Sequence, residues 1–81
     1  MRFSVGQTYR SHNNPNYVMR VNRRTWKYMD ATLTFNGNGR KAVIGEYRIN
    51  MMDHRPDKYE DEHVWLLDEW RDLRIGFSAG E

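Results

Sequence analysis

Residues 25–51 read TWKYMDATLTFNGNGRKAVIGEYRINM and decide the fold, because two strand-like runs flank a turn in this stretch. The turn is Asn36-Gly37-Asn38-Gly39. Asn and Gly adopt positive φ at low cost, which the tight turns of β-hairpins require. Both flanking runs are rich in β-branched and aromatic residues, which favour strands. The sequence therefore predicts a long β-hairpin around residues 36–39.

Both runs of this hairpin alternate between apolar and polar positions. In the upstream run, one face is apolar and consists of Met29, Ala31, Leu33 and Phe35. The opposite face is amphipathic and consists of Trp26, Tyr28, Thr32 and Thr34. In the downstream run, we expect the apolar face to consist of Val43, Tyr47, Ile49 and Met51. A period of two residues is typical of a strand with one buried side, so we expect one face of the hairpin to form core.

Further strands are predicted on both sides of the hairpin. Residues 17–22 form one of them, after a polar loop at 11–16, and residues 6–10 form a first short strand. Leu73, Ile75 and Phe77 alternate with polar or small residues and predict a last strand over 73–78. We therefore expect a single domain over residues 1–81 of the mainly-β class. Its architecture would be a small antiparallel barrel or a strongly bent sheet of about five strands.

Residues 58–70 fit two structures. Asp57 and Glu60 resemble a capping box, and Tyr59, His63 and Trp70 could share one helical face. The apolar run 63–67 would also suit a buried strand, because a short apolar run does not determine the period. Local rules favour a helix near 58–70, and a closed barrel favours a strand, so both alternatives stay open.

Charge is separated along the chain. Residues 1–48 hold nine Lys or Arg against two acids, a formal charge of +7. Residues 49–81 hold four Lys or Arg against nine acids, a formal charge of −5. Such asymmetry indicates partners and association rather than a fold.

Basic and aromatic residues gather in the first of these segments. We expect these residues to bind a partner: Arg20, Arg23, Arg24, Trp26, Lys27 and Tyr28, with Arg40 and Lys41 beside the Asn-Gly turn as a second basic cluster. Arg23 and Arg24 would lie at a turn, with Arg20, Trp26 and Tyr28 on one exposed face. A second, acidic partner-binding surface would consist of Glu60, Asp61 and Glu62. The alternative is that the aromatic residues are core and the charged residues form solvated faces.

Catalytic and metal-binding motifs are absent from the sequence. The chain has no cysteine, no G-x-S-x-G and no H-E-x-x-H, and its three histidines lie in separate segments. We therefore expect no enzyme activity, no cofactor and no metal site. No stretch approaches the ~18 apolar residues of a membrane-spanning helix, and no targeting segment is visible. We expect a cytoplasmic protein that does not bind membranes.

The segment Val21-Asn22-Arg23-Arg24-Thr25-Trp26-Lys27 resembles a V-x-x-R-T-x-K segment of small, mostly uncharacterised bacterial and phage-type proteins. The opening Phe3-Ser4-Val5-Gly6-Gln7-Thr8-Tyr9 is also similar to theirs. The resemblance covers about half of the chain and implies an SH3-like β-barrel with a binding role, without an active site. Residues 53–72 depart from it, because they are longer and more acidic.

Two functions agree with these observations. The first is a non-enzymatic protein-binding module, an inhibitor or adaptor of mobile-element (phage-like) type, in which both charged segments have a use. The alternative is a nucleic-acid-binding β-barrel that contacts phosphates and bases through the region from Arg20 to Lys41. The opposed charged faces would also allow a homo-oligomer.

Overall fold

The structure, a computed structural model, describes residues 2–56 and 72–79. Within them lies one antiparallel sheet with the strand order β5-β4-β3-β2-β1-β6, which curls into a half-barrel. Its elements are β1 (Thr8–Ser11), β2 (Tyr17–Arg24), β3 (Tyr28–Gly37), β4 (Arg40–Asn50), β5 (Arg55–Pro56), α1 (Leu73–Gly76) and β6 (Phe77–Ala79). The mainly-β prediction is confirmed. The described residues form six strands rather than about five, because β5 has only two residues and is too short to be recognised from sequence.

The predicted hairpin is the centre of the sheet. β3 pairs with β4 from Tyr28 opposite Asn50 to Gly37 opposite Arg40. The turn itself is Asn38-Gly39, with φ of 55° and 72°. Positive φ at both central residues is what a type I′ hairpin turn needs, and it matches the twist of the flanking strands. The hairpin prediction is therefore confirmed.

The concave side of the sheet carries the core. The predicted apolar face of β3 is fully buried at Met29, Ala31 and Leu33. Side chains from the neighbouring strands and from both ends of the described chain complete the core: Phe3, Tyr9, Met19, Val21, Tyr47, Ile49, Leu73 and Phe77. Because successive side chains alternate between faces, the convex side, which we call the outer face, keeps the polar residues of the same strands.

The predicted apolar face of β4 is wrong at Val43. This side chain is 69% exposed and lies opposite Thr34 on the outer face. The cause is a β-bulge, since Leu33 pairs with Gly45 whereas Thr34 pairs with Val43, which leaves Ile44 as the extra residue. One extra residue reverses the alternation of all positions on one side of it. Tyr47 and Ile49 lie beyond the bulge and are buried as expected.

The strands before the hairpin are shifted slightly from their predicted bounds. β1 covers 8–11 rather than 6–10, and β2 extends to Arg24 through a bulge between Val21 and Arg23. Arg23 and Arg24 therefore belong to a strand rather than to a turn. The polar loop between β1 and β2 is confirmed, and within it the Asn14 N–H donates to Ser11 Oγ at 3.1 Å.

The predicted strand over 73–78 is wrong in its first half. Residues 73–76 form α1, whose N-cap is Asp72, and only residues 77–79 form a strand. Leu73 and Phe77 are both fully buried, whereas Ile75 is exposed. Within α1 the buried positions are Leu73 and Gly76, three residues apart as on one face of a helix, so the apparent alternation had the wrong period.

The segment 72–79 connects the two edges of the sheet. The Leu73 N–H donates to the His54 carbonyl beside β5 at 2.8 Å, and the His12 N–H donates to the Gly76 carbonyl at 2.9 Å. β6 then pairs with β1, from Ser11 opposite Phe77 to Tyr9 opposite Ala79. The alternatives for residues 58–70 lie outside the described residues.

Candidate binding surface

The turn between β2 and β3 is fixed by hydrogen bonds although it projects from the sheet. The Thr25 N–H donates to the Tyr28 carbonyl at 2.8 Å. Thr25 Oγ1 accepts from the N–H groups of Lys27 and Tyr28 at 3.2 and 3.1 Å. The Met51 N–H donates to the Lys27 carbonyl at 2.9 Å, which joins the turn to the end of β4. The turn is therefore held in one geometry from two sides.

Trp26 lies at the tip of this turn and is 81% exposed. The Lys27 ammonium lies 5.1 Å from the centroid of its ring. A cation at this distance interacts favourably with an indole face. Trp26 is thus a large aromatic side chain that stays exposed to solvent on an ordered turn.

The N-terminal segment runs beside this turn and is anchored in the core. The Phe3 ring is buried and contacts Tyr9 edge to face, with the ring centroids 4.8 Å apart. The Tyr9 hydroxyl accepts from the Ser4 N–H at 2.7 Å and donates to the Arg2 carbonyl at 3.3 Å. The Gly6 N–H donates to the Val21 carbonyl at 2.8 Å. These contacts fix the backbone of residues 2–6 against β2.

A cleft opens between the N-terminal segment and the turn. We call it the Trp26 cleft; it has a volume of about 610 Å³ and is lined by Arg2, Phe3, Ser4, Val5, Arg24, Thr25 and Trp26. The Arg24 guanidinium donates to the Phe3 carbonyl and so joins the two walls. Val5 is 57% exposed and adds an apolar rim. No lining residue is acidic, so the cleft combines apolar rims with two arginines.

A second cluster lies on the outer face, centred on Asp30. Both of its carboxylate oxygens accept from Arg48, at 2.9 and 3.2 Å, and Arg23 lies 3.9 Å away. The hydrogen bonds from Arg48 hold the pKa of Asp30 below its usual value, with added attraction from both arginines, although burial of the carboxyl opposes this shift. The Arg48 guanidinium also stacks on the Tyr28 ring at 4.1 Å. One face of Tyr28 is therefore covered.

The basic and aromatic residues predicted to bind a partner lie in three parts of the sheet. Arg24, Trp26 and Lys27 are at the end of the sheet with the Trp26 cleft. Arg40 and Lys41 start β4 at the opposite end of the sheet, about 30 Å away at the rise of a strand. Arg20 and Arg23 on β2 and Tyr28 on β3 lie on the outer face. Arg40 and Lys41 therefore form a cluster separate from the cleft, because the turns at the two ends of β3 lie at opposite ends of the sheet.

The acidic surface predicted at Glu60, Asp61 and Glu62 lies outside the described residues.

Sequence reasoning missed several residues of these surfaces. The cleft walls formed by Arg2 and Val5 depend on contacts with a turn about twenty residues further along the chain. No local pattern marks such contacts. The pairing of Arg48 with Asp30 could have been inferred from the sequence, since residues of opposite charge on neighbouring strands of a hairpin frequently pair.

Residues 2–56 and 72–79 contain no group of three or more His, Asp or Glu side chains arranged to hold a metal ion. His12 is exposed at the end of β1, whereas His54 lies next to β5 with φ of 56°. The third histidine, His63, lies outside the described residues. Among the described residues there is also no helix of the length and apolarity that crossing a membrane needs.

Comparison of the chain with protein-family models, curated proteins and solved structures finds no match in any of the three.

Proposed function

We propose that the chain is a non-enzymatic protein-binding module that docks an acidic, partly apolar segment of its partner at the Trp26 cleft. The observation that carries this proposal is the 81% exposure of Trp26 on a turn fixed by hydrogen bonds. Trp is enriched among the residues that dominate binding energy in interfaces. A rigid turn also lowers the entropy lost on binding, because its geometry is set beforehand.

The size of the Trp26 side chain determines how much binding free energy we expect it to contribute. An aromatic side chain buries about 150–250 Å² when fully covered. Because most of Trp26 is exposed in the free protein, a partner that covers it would remove well over 100 Å² of mainly apolar surface from water, worth about 3–5 kcal/mol at about 25 cal/mol per Å². Loss of the ring should therefore weaken binding by about 2 kcal/mol or more, which is about 30-fold.

The charges around the cleft define the partner's chemistry. Arg2 and Arg24 line the cleft, and Lys27 lies against the Trp26 ring. A partner segment with carboxylates beside an apolar side chain complements this arrangement. Charge complementarity of this kind raises the association rate and selects among partners.

Features of the sequence support a biological setting for this proposal. The resemblance to small SH3-like barrels of phage-type proteins supports an inhibitor or adaptor of mobile-element type that acts in the cytoplasm. The separated charges of the two segments of the chain leave room for a homo-oligomer through opposed charged faces.

The test begins with affinity purification of the tagged chain from its native host, followed by titration calorimetry with the recovered protein. We expect a stoichiometric protein partner whose affinity falls about 30-fold or more with Trp26→Ala. Ile75→Ala is the matched control, because Ile75 is an exposed apolar residue on α1 and should leave the affinity unchanged. Equal binding by Trp26→Ala, or recovery of nucleic acid alone, would overturn the proposal.

A further inference from the structure

The outer face carries cations that the Trp26 cleft does not use. Arg10 on β1 lies opposite Val18 on β2, and Arg20 lies two residues further along β2. Such diagonal neighbours are about 7–8 Å apart. Arg23 follows near the end of the same strand, opposite Asp30. We call Arg10, Arg20 and Arg23 the arginine row; it crosses the outer face from β1 to the end of β2.

Within the described residues, most of the positive charge of this row has no ion-pair partner. All three side chains are exposed. Arg10 donates only to the Pro15 carbonyl at 3.3 Å, which leaves its charge intact. Within the described part of the chain, no acid lies within ion-pairing distance of Arg10 or Arg20. Arg23 is 3.9 Å from Asp30, but that carboxylate is already engaged by Arg48.

Among the described residues, the outer face offers little aromatic surface on which a base could stack beside the row. Thr8 and Thr32 flank Arg20 on the two neighbouring strands. The nearest aromatic residue of the same face is Tyr28, whose ring is covered on one side by the Arg48 guanidinium. Planar guanidinium groups bind phosphate oxygens in a bidentate manner, whereas reading of bases needs stacking or groove contacts.

From this arrangement we propose that the arginine row binds the phosphate backbone of a nucleic acid without sequence preference. Repeated phosphates suit a row of separate cations better than a single anion does. This site lies on the outer face, apart from the Trp26 cleft, so it does not rest on the proposed protein-binding function. A chain with both sites would connect a protein partner to a nucleic acid.

Salt dependence tests this proposal quantitatively. Each phosphate that the protein neutralises contributes about −0.9 to the slope of log K against log salt for duplex DNA, and about −0.7 for single strands. Three contacts predict a duplex slope of about −2.7, which is about a 40-fold loss of affinity between 50 and 200 mM salt. The measurement is fluorescence anisotropy with a mixed-sequence 20-base-pair duplex and the matching single strand, over this salt range.

Two double variants that each remove two positive charges distinguish the effect of the arginine row from the effect of net charge. The Arg10→Gln/Arg20→Gln variant should reduce the size of the duplex slope by about 1.8. The Arg40→Gln/Arg55→Gln variant, at the hairpin turn and on β5, should leave the slope unchanged. Both variants should keep the wild-type thermal unfolding midpoint, because all four side chains are exposed.

Any one of four results would overturn the inference. One is the absence of salt-dependent binding at 50 mM salt, and another is an equal effect of the two double variants. The third is binding to vesicles that contain phosphatidylserine with none to the oligonucleotides. The Trp26→Ala variant distinguishes this site from the cleft. If its affinity for the oligonucleotides is unchanged, the arginine row is supported, and if that affinity is lost, the arginine row is contradicted. Both conclusions hold whatever this variant does to binding of protein partners.

Discussion

Replacing Asp30 with Asn should destabilise the protein by about 1–2 kcal/mol at neutral pH. Hydrogen bonds to charged groups contribute about 1.5–3 kcal/mol when they are sheltered, and exposed ion pairs contribute about 0.2–1 kcal/mol. The Asp30 side chain is 8% exposed and that of Arg48 is 55% exposed, so the pair lies between these cases. Asn retains the volume of Asp and one acceptor oxygen, but it loses the charge that both Arg48 and Arg23 face.

The pH dependence of this effect has a definite sign. The pKa of Asp30 is lowered in the folded protein, mainly by its hydrogen bonds from Arg48. The carboxylate therefore stabilises the fold above its unfolded pKa of about 3.9, and this contribution is lost as the pH falls through the lower folded pKa. We expect the difference in unfolding free energy between the wild type and Asp30→Asn to have its full size at pH 7 and to shrink progressively below about pH 4.

Urea denaturation followed by tryptophan fluorescence between pH 7 and pH 2 measures both effects. The matched control is Glu46→Gln, which removes one carboxylate from the same face of the sheet, at an exposed position opposite Thr32. We expect the control to change stability by less than about 0.5 kcal/mol. Two results would contradict a stabilising role of the Asp30 carboxylate. One is an Asp30→Asn variant as stable as the wild type at pH 7, and the other is a loss of unfolding free energy in this variant that stays the same at pH 2.

Two further stability predictions follow from the backbone. Gly39→Ala should lower the free energy of unfolding by about 1–2 kcal/mol, because φ at Gly39 is 72°. No atom lies near the added Cβ, so this cost is conformational. Asn38→Gly should be tolerated, and thermal unfolding measurements compare the two variants. Val43→Lys should change stability by less than about 0.5 kcal/mol, since Val43 lies on the outer face, whereas Leu33→Ala on the opposite strand should cost about 2–5 kcal/mol in the same urea titrations. A loss above about 2 kcal/mol in Val43→Lys would contradict the bulge at Ile44.

The hairpin could be predicted because its determinants are local. Positive φ is required at two consecutive residues, and Asn38 and Gly39 are the residue types that supply it. The buried face of β3 followed from the alternation of Met29, Ala31 and Leu33. Neither inference needs any knowledge of the rest of the chain.

The bulge and the short helix could not be predicted in the same way. The bulge at Ile44 is a property of the pairing between two strands, and a regular alternation in one strand does not reveal it. At 73–76, a strand-like alternation would bury Leu73 and Ile75, whereas helical spacing buries Leu73 and Gly76. The exposed Ile75 distinguishes the two periods, and its exposure depends on the tertiary structure.

The candidate surfaces were predicted by residue type but not by position. Trp26 and Arg24 are near neighbours in sequence, and both line the cleft. Arg40 and Lys41 follow the Asn-Gly turn, and the length of β3 separates them from the cleft. Arg10 was not assigned to any surface, because its position beside Arg20 arises only from the pairing of β1 with β2.

The pairing of β6 with β1 constrains the order in which this protein can fold. Ser11 and Phe77 are opposite each other although they are 66 positions apart along the chain. Closing so long a loop costs entropy before the contacts compensate for it, so folding of such topologies is slow. During synthesis on the ribosome, β1 keeps an unpaired edge and the core lacks Leu73 and Phe77 until residues 72–79 emerge. Nascent chains that stop before residue 72 should therefore be the species most prone to aggregation and most dependent on chaperones.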